Sequence, residues 1–187
     1  MARPMAELNG YRLHPGDLAP DFALPGVDGK TYRLADHAKE PLLLVVFWCN
    51  HCPYVQAWEG RMVEIGRKYA SRGVAIVLIN SNDARAYPED RLEVMVRRAQ
   101  EKGYPFPYLV DETQETARAY GALVTPHAML FGHDRRLLFQ GKIDNDHQHP
   151  ERVTERYLER ALDQALAGQP VAPAELPVLG CTVKWKA

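Results

Sequence analysis

The sequence contains few cysteines and no long hydrophobic segment. Only three of its 187 residues are cysteine, an odd and small number that does not suit the disulfide framework of a small secreted protein. The longest apolar run, residues 42–48, is far shorter than the roughly 18 residues that a membrane-spanning helix needs. The first seven residues also lack the apolar centre of a secretion signal. We therefore predict a cytoplasmic protein with no membrane partner.

An excess of charge of one sign is missing as well. The net charge at pH 7 is -1, and no run of Lys or Arg interrupts the mixture of charges. Because proteins that bind nucleic acid neutralise its phosphates with clustered basic residues, we expect no nucleic-acid partner. The length suits one domain over residues 1–187. We expect its core at 18–167 and an ordered C-terminal extension at 168–187, because residues 178–185 of this tail carry too much apolar surface for a disordered segment.

The hydrophobic pattern predicts an α/β protein. Residues 42–48 and 74–79 are continuous apolar runs, typical of strands that are covered on both faces. Between and after them, apolar residues recur at the spacing of amphipathic helices. We predict an N-terminal hairpin over 20–34, strands at 42–48, 74–79 and 106–110, a strand hairpin at 127–131 and 137–140, and helices from the cysteines to 69, at 88–103, 113–120 and 150–167.

Two cysteines follow the first buried strand. The run 42–48 leads into Cys49-Asn50-His51-Cys52-Pro53, and two sulfurs at this spacing can interconvert between dithiol and disulfide. Pro53 suits the first position of a helix, which would place Cys52 at the N-cap, where the helix dipole favours a thiolate. A protonated His51 would favour the thiolate further; the alternative is a solvent-facing loop histidine.

These residues carry a resemblance to a known family. The strand that leads into the cysteine pair, the later Thr125-Pro126 ahead of a strand hairpin, and the leading residues 19–22 with their hairpin resemble the thioredoxin superfamily. Within it, the chain is similar to the branch of peroxiredoxins (alkyl hydroperoxide reductase and thiol-specific antioxidant) and of thioredoxin-like thiol-disulfide oxidoreductases. The resemblance implies a three-layer thioredoxin-like fold with a mixed central β-sheet, and a cis Thr125–Pro126 peptide beside the sulfurs.

The predicted site follows from the motif and the resemblance together. Thr125 would offer its backbone edge to a substrate chain, and Cys181 would be a third redox thiol if the tail docks over the site, unless it is merely packed. We predict no metal and no cofactor. The candidate catalytic residues are Cys49, Cys52 and His51, and the candidate substrate-binding residues are Trp48, Asn50, Pro53, Thr125 and Pro126.

The identity of the attacking cysteine is left open by two arguments. Enzymes of the thioredoxin type use the first cysteine of the motif, Cys49, whereas the predicted N-cap position and the Cys-Pro pair favour Cys52. We favour Cys52 as the thiol of lower pKa. The chain departs from the family in two ways. Peroxiredoxins have a Thr or Ser three residues before the nucleophile, and counting back from Cys52 this position is Cys49. Thioredoxin has a buried Asp that moves protons on the strand before the motif, whereas residues 42–46 are all apolar. Proton transfer would then use His51, water or a residue from elsewhere.

The leading functional hypothesis is dithiol-disulfide exchange. The substrate would be a disulfide-containing protein or a small-molecule thiol or disulfide, with a cellular electron donor. The alternative functions are a peroxiredoxin-like thiol peroxidase and a non-enzymatic binding module on the same fold. For the cysteine pair itself, the alternatives are inert thiols in the core and a zinc site, for which the sequence lacks a second pair of ligands. Exchange requires that the two sulfurs lie together and that a substrate can reach them.

Overall fold

The computed structural model describes residues 7–187. Nine strands are present in this part of the chain: β1 (Ala23–Pro25), β2 (Thr31–Arg33), β3 (Leu42–Phe47), β4 (Val74–Asn80), β5 (Tyr108–Val110), β6 (Val124–Thr125), β7 (His127–Phe131), β8 (Leu137–Gly141) and β9 (Cys181–Thr182). The same part contains four α-helices: α1 (Pro53–Tyr69), α2 (Leu92–Glu101), α3 (Glu115–Tyr120) and α4 (Tyr157–Leu166).

A five-stranded mixed sheet forms the centre of the fold, in the order β5-β4-β3-β7-β8. Strand β3 pairs in parallel with β4 and antiparallel with β7, and all six of its residues are buried. Its alternate side chains pack into two hydrophobic clusters, one shared with α1 and α4 and one shared with α3. The sheet is therefore covered on both faces, and the predicted three-layer arrangement is confirmed. The predicted N-terminal hairpin is also present, as β1 and β2.

The second predicted helix begins later than expected. Residues 88–90 form a separate 3-10 turn, and Arg91 is extended before α2 begins at Leu92. The helical spacing of Leu92, Met95, Val96 and Ala99 predicts that these four residues face inward. The prediction is wrong at Leu92, which is 51% exposed. The physical reason is Asp90, whose buried carboxylate accepts a hydrogen bond from the backbone N–H of Asn50 and so turns the chain inward at this point.

The last helix also begins later than expected, at Tyr157 rather than at residue 150. The side-chain oxygen of Asn145 accepts hydrogen bonds from the backbone N–H groups of Thr154 and Glu155. These bonds hold the chain in a loop, because a side chain that binds the backbone locally competes with helix formation.

The C-terminal extension packs on the domain, as predicted. Strand β9 pairs antiparallel with β6, and Val178 forms a bridge with Leu8. Among the helices of residues 7–187, none combines the length and hydrophobicity that crossing a membrane requires.

Candidate active site

The end of β3 positions the cysteine pair. Strand β3 ends at Phe47, and α1 begins at Pro53 with Cys52 as its N-cap residue, in an extended conformation (φ -70°, ψ 126°). The two cysteines therefore lie between the C-terminal end of a central buried strand and the N-terminus of a 17-residue helix.

Thr125 lies against both sulfurs of the pair. The sulfur of Cys49 is 3.2 Å from the Thr125 hydroxyl oxygen, and the sulfur of Cys52 is 3.4 Å from the Thr125 carbonyl oxygen. The Thr125–Pro126 peptide is cis, as predicted. The structure thus brings together four of the predicted site residues.

Cys181 joins this cluster from the C-terminal extension. It is directly opposite Thr125 in the antiparallel pair of β6 and β9. Its side chain packs in the same hydrophobic cluster as Cys49 and Cys52. The three cysteines of the chain therefore meet around one threonine, although more than 120 residues separate Cys181 from the pair in sequence.

The three thiols differ in pKa because of their positions. Hydrogen bonds from the Cys181 thiol, and then from the Cys49 thiol, lower the pKa of Cys52 far below its usual value. The backbone N–H groups of Val55, in the first turn of α1, and of Cys181 add to this effect, while burial opposes it. Burial raises the pKa of Cys49, and the hydrogen bond to Cys52 raises that of Cys181. The arrangement favours one thiolate, on Cys52.

A buried carboxylate lies beside the motif. One oxygen of Asp90 accepts a hydrogen bond from the backbone N–H of Asn50 at 2.7 Å, and the other lies 2.6 Å from Nδ1 of His51. The side chains of Asn80 and Asn82 also donate to this carboxylate. The ion pair with Asp90 raises the pKa of His51 above its usual value, against the effect of partial burial.

Sequence reasoning missed Asp90. The acidic residues after Pro88 have the composition of an ordinary first helical turn, and no sequence signal distinguishes the inward-facing Asp90 from its exposed neighbour Glu89. The structure places the Asp90 carboxylate beside the motif, whereas β3 carries no acidic residue.

The sulfur of Cys49, a ring nitrogen of His51 and a carboxylate oxygen of Asp90 lie within 4.8 Å of one another. These atoms are a candidate metal-ligand set. However, both oxygens of Asp90 already accept hydrogen bonds from neighbouring amide groups, and these bonds hold the loop in place. The absence of a metal and of a cofactor stays a prediction.

Three predicted substrate-binding residues occupy different environments. Trp48 is buried, and its indole N–H donates to the Tyr104 hydroxyl at 3.1 Å. Asn50 is buried as well, and its side-chain oxygen accepts a hydrogen bond from the Tyr108 hydroxyl. Pro53 is exposed at the start of α1. In this conformation Trp48 and Asn50 support the loop from inside, so their contact with a substrate stays a prediction.

The two sulfurs lie together, but neither is exposed. Cys49 is 1% exposed and Cys52 is 0% exposed. Strand β9 covers them on the side of Thr125, and Gly180, the residue before it, approaches so closely that a Cβ atom there would overlap the Thr125 carbonyl oxygen. The requirement that a substrate can reach both sulfurs is therefore not met while β9 is in place.

We expect Gly180→Ala to loosen β9. The added methyl group cannot fit beside Thr125, and overpacking of this kind costs about 1–3 kcal/mol. If this cost falls on the contact between β6 and β9, local opening and alkylation of Cys52 become about tenfold faster. The measurement is peptide-resolved alkylation with iodoacetamide. The control is Gly10→Ala, since a Cβ atom at Gly10 meets no atom within 4 Å. Equal rates for the two variants would contradict the prediction.

A mixed sheet that leads into a cysteine pair at a helix N-cap, with a cis-proline loop beside the sulfurs, defines a thioredoxin-like α/β protein. The chain belongs to the AhpC/TSA family, whose sequence profile matches residues 15–147. The predicted membership of the thioredoxin superfamily, in its peroxiredoxin-like branch, is confirmed.

Individual relatives agree with this assignment. The chain is 41% identical to an uncharacterized conserved protein from Geobacillus kaustophilus, with a TM-score of 0.89 and coverage of 97% of both chains. A putative thioredoxin from Neisseria meningitidis, 22% identical with a TM-score of 0.62 over 81% of this chain and 92% of that one, shares the fold. The thiol-disulfide oxidoreductase ResA of Geobacillus thermodenitrificans is 26% identical over 117 residues, which are 62% of this chain and 62% of the relative's length. These similarities support the thioredoxin-like fold, and the chain spans less than two thirds of the length of this ResA relative.

Proposed function

We propose that the chain is a thiol-disulfide oxidoreductase that uses Cys49 and Cys52 as its exchanging pair. The observation that carries the proposal is the convergence of both sulfurs on Thr125, with Cys52 at the N-cap of α1. At this position the helix dipole and the neighbouring N–H groups stabilise a thiolate, which is the reactive form of cysteine. The match to a relative named thiol-disulfide oxidoreductase supports the same activity.

The reaction has two steps, which transfer two electrons to the substrate. The Cys52 thiolate attacks one sulfur of a substrate disulfide, forms a mixed disulfide, and releases the other substrate sulfur as a thiolate. Cys49 then loses its proton and attacks the Cys52 sulfur. The second substrate thiolate leaves, and a Cys49–Cys52 disulfide remains in the protein.

The second step needs a proton acceptor because burial raises the pKa of Cys49. The ion pair of His51 and Asp90 lies beside the Cys49 sulfur, and the three reacting atoms fall within 4.8 Å of one another. We assign proton acceptance to the neutral form of the His51 imidazole, and Asp90 stabilises the imidazolium that forms. This pair takes the role that the resemblance gives to a buried Asp on the preceding strand, which this chain lacks.

The proposed substrate is a disulfide of a protein or of a small molecule, and a cellular electron donor would restore the dithiol. Thr125 would pair with an extended substrate chain once β9 moves away from it. The cytoplasmic location stays a prediction, which fractionation of cells that express the tagged protein would test.

The peroxidase alternative has less support from the geometry. A peroxidatic thiolate needs a hydroxyl donor beside it, and the Thr125 hydroxyl contacts Cys49 rather than Cys52. The hydrogen bonds that lower the pKa of Cys52 come from the thiols of Cys181 and Cys49 and from the backbone N–H groups of Val55 and Cys181. Exchange with a disulfide does not require a hydroxyl donor.

Variants with a single thiol test the proposal. Cys49→Ser/Cys181→Ser keeps only Cys52, and Cys52→Ser/Cys181→Ser keeps only Cys49. Each reduced variant is mixed at pH 7 with 5,5′-dithiobis(2-nitrobenzoate), and the mixed disulfide is followed by thiol release and by mass. We expect the variant with Cys52 alone to form the adduct at least about tenfold faster. The two serine hydroxyls can still donate to its sulfur, and the backbone N–H groups of Val55 and of residue 181 remain, so a thiolate is favoured at this pH.

Two outcomes would contradict the proposal. If the variant with Cys49 alone forms the adduct faster, Cys49 and not Cys52 is the attacking sulfur. If neither folded variant reacts while both react in urea, the sulfurs are sealed and the binding module becomes the better account.

A further inference from the structure

Strand β9 occupies the edge at which the proposed substrate would bind. Thr125 and Cys181 are direct partners in the antiparallel pair of β6 and β9, and the same Thr125 contacts the sulfurs of Cys49 and Cys52. A substrate chain on this edge would place its own sulfur where Cys181 now lies. Cys181 is thus held in the position of a substrate cysteine.

The contacts after β9 fix this position. The backbone N–H of Val183 donates to the Leu123 carbonyl at 3.3 Å. The backbone N–H of Lys184 donates to the side chain of Asn82 at 2.9 Å, and the Lys184 carbonyl accepts a hydrogen bond from the side chain of Gln114 at 2.9 Å. These hydrogen bonds anchor the segment in one register and hold Cys181 opposite Thr125.

All three cysteines are buried, and Cys181 is the least buried of them. It keeps 4% of its surface exposed, against 1% for Cys49 and 0% for Cys52. Unlike the pair, it comes from the C-terminal extension that covers Thr125, so movement of β9 would expose it together with the edge.

We propose that Cys181 is a third exchange thiol, which takes over the disulfide from the Cys49–Cys52 pair and presents it to an external thiol. The proposal rests on the exchange function proposed above. The Cys181 thiolate attacks the Cys52 sulfur of the Cys49–Cys52 disulfide. A Cys52–Cys181 disulfide forms, and Cys49 leaves as a thiolate and takes up the proton that Cys181 has lost. This step is an isomerisation and needs no oxidant or reductant.

An external thiol then completes the cycle. A small-molecule thiolate attacks the Cys181 sulfur, and Cys52 leaves as a thiolate. A second thiolate attacks the mixed disulfide, which releases the small-molecule disulfide and restores Cys181, so two electrons enter the protein. Because thiols of low pKa leave fastest in such exchanges, Cys52 suits the role of leaving group. The substrate reaction requires the Thr125 edge to be free, whereas the Cys52–Cys181 bond forms with β9 in place.

Disulfide mapping in Cys49→Ser tests the first step. The reduced variant is treated with one equivalent of diamide, alkylated, digested and analysed by mass spectrometry. We expect one intramolecular disulfide, between Cys52 and Cys181. The matched control is Cys52→Ser, in which we expect no intramolecular Cys49–Cys181 bond. Mapping of the wild-type protein at intermediate redox potentials provides a test that needs no substitution, and we expect both Cys49–Cys52 and Cys52–Cys181 bonds there.

Reduction kinetics test the second step. We expect oxidised Cys181→Ser to be reduced by glutathione at least about tenfold more slowly than the wild-type protein, because the external thiol must then reach the buried pair. Reduction at the wild-type rate would overturn the proposal. The proposal would also be overturned if folded Cys49→Ser did not form the Cys52–Cys181 bond, or if the wild-type protein formed only the Cys49–Cys52 bond.

These results also separate this proposal from the exchange function itself. If the variant with Cys52 alone forms its adduct with the aromatic disulfide but the Cys52–Cys181 bond is absent, exchange stands and the role of Cys181 fails. If the Cys52–Cys181 bond forms but neither single-thiol variant reacts, the exchange function fails.

Discussion

Replacement of Cys52 by serine is expected to lower the rate of disulfide exchange at pH 7 by at least about 1000-fold. In the wild-type protein, the hydrogen bonds around Cys52 lower its pKa, so the attacking thiolate is already present at neutral pH. In Cys52→Ser the hydrogen bond from Cys181 to the Cys52 sulfur is lost, but burial still raises the pKa values of both remaining cysteines. They are almost entirely protonated at pH 7 and therefore react slowly.

The pH dependence gives the sharper test of this explanation. Between about pH 6 and 8 we expect the rate of the first step to be nearly flat for the wild-type protein, because Cys52 is ionised throughout. For Cys52→Ser we expect a rate that rises about tenfold per pH unit, since each unit increases the thiolate fraction by that factor. Stopped-flow release of thionitrobenzoate measures both profiles. The control is Cys49→Ser, which should keep the flat profile, and a flat profile in Cys52→Ser would contradict the explanation.

The centre of the fold could be predicted because its signals are local. The continuous apolar run of β3 and the motif that follows it lie within twelve residues of sequence, and a fully buried central strand needs no other pattern. The same holds for the hairpin of β7 and β8, whose two apolar strands are joined by a short polar turn. At these places local pattern and tertiary structure agree.

The site could be predicted only in part because two of its groups depend on tertiary contacts. Asp90 points inward since the backbone N–H of Asn50 and the side chains of two asparagines bind it, and these partners lie 8 to 40 residues away. Strand β9 has two residues, too few for any periodicity, and its partner strand β6 is equally short. Packing of the tail was predicted from its hydrophobicity, but its position over Thr125 was not, and neither was the burial of the two sulfurs.

Asp90→Asn is expected to destabilise the reduced protein by about 3 kcal/mol at pH 6, because the buried carboxylate has several donors as partners. The amide that replaces it can accept through one oxygen only, and its NH2 group would face donors. Loss of the ion pair should also lower the pKa of His51. Urea denaturation measures the stability, and NMR titration of the His51 ring measures the pKa.

The difference in stability between the two proteins should depend on pH with a definite sign. Because the folded state raises the pKa of His51, the ion pair stabilises the protein fully below the unfolded value of about 6.5 and is lost as the pH rises through the folded pKa. The pKa of Asp90 is lowered, so the carboxylate stays ionised at pH 6. We therefore expect the destabilisation by Asp90→Asn to be larger at pH 6 than at pH 9.

The matched control is Glu89→Gln, which removes the same charge one residue earlier. Glu89 is exposed, and substitutions at such positions usually change stability by less than about 0.5 kcal/mol. If Asp90→Asn behaves like Glu89→Gln at both pH values, the carboxylate does not hold His51, and proton acceptance from Cys49 must be assigned to another group. If Asp90→Asn is destabilised and also slows the second step of exchange more than the first, the same carboxylate both supports the loop and assists the chemistry.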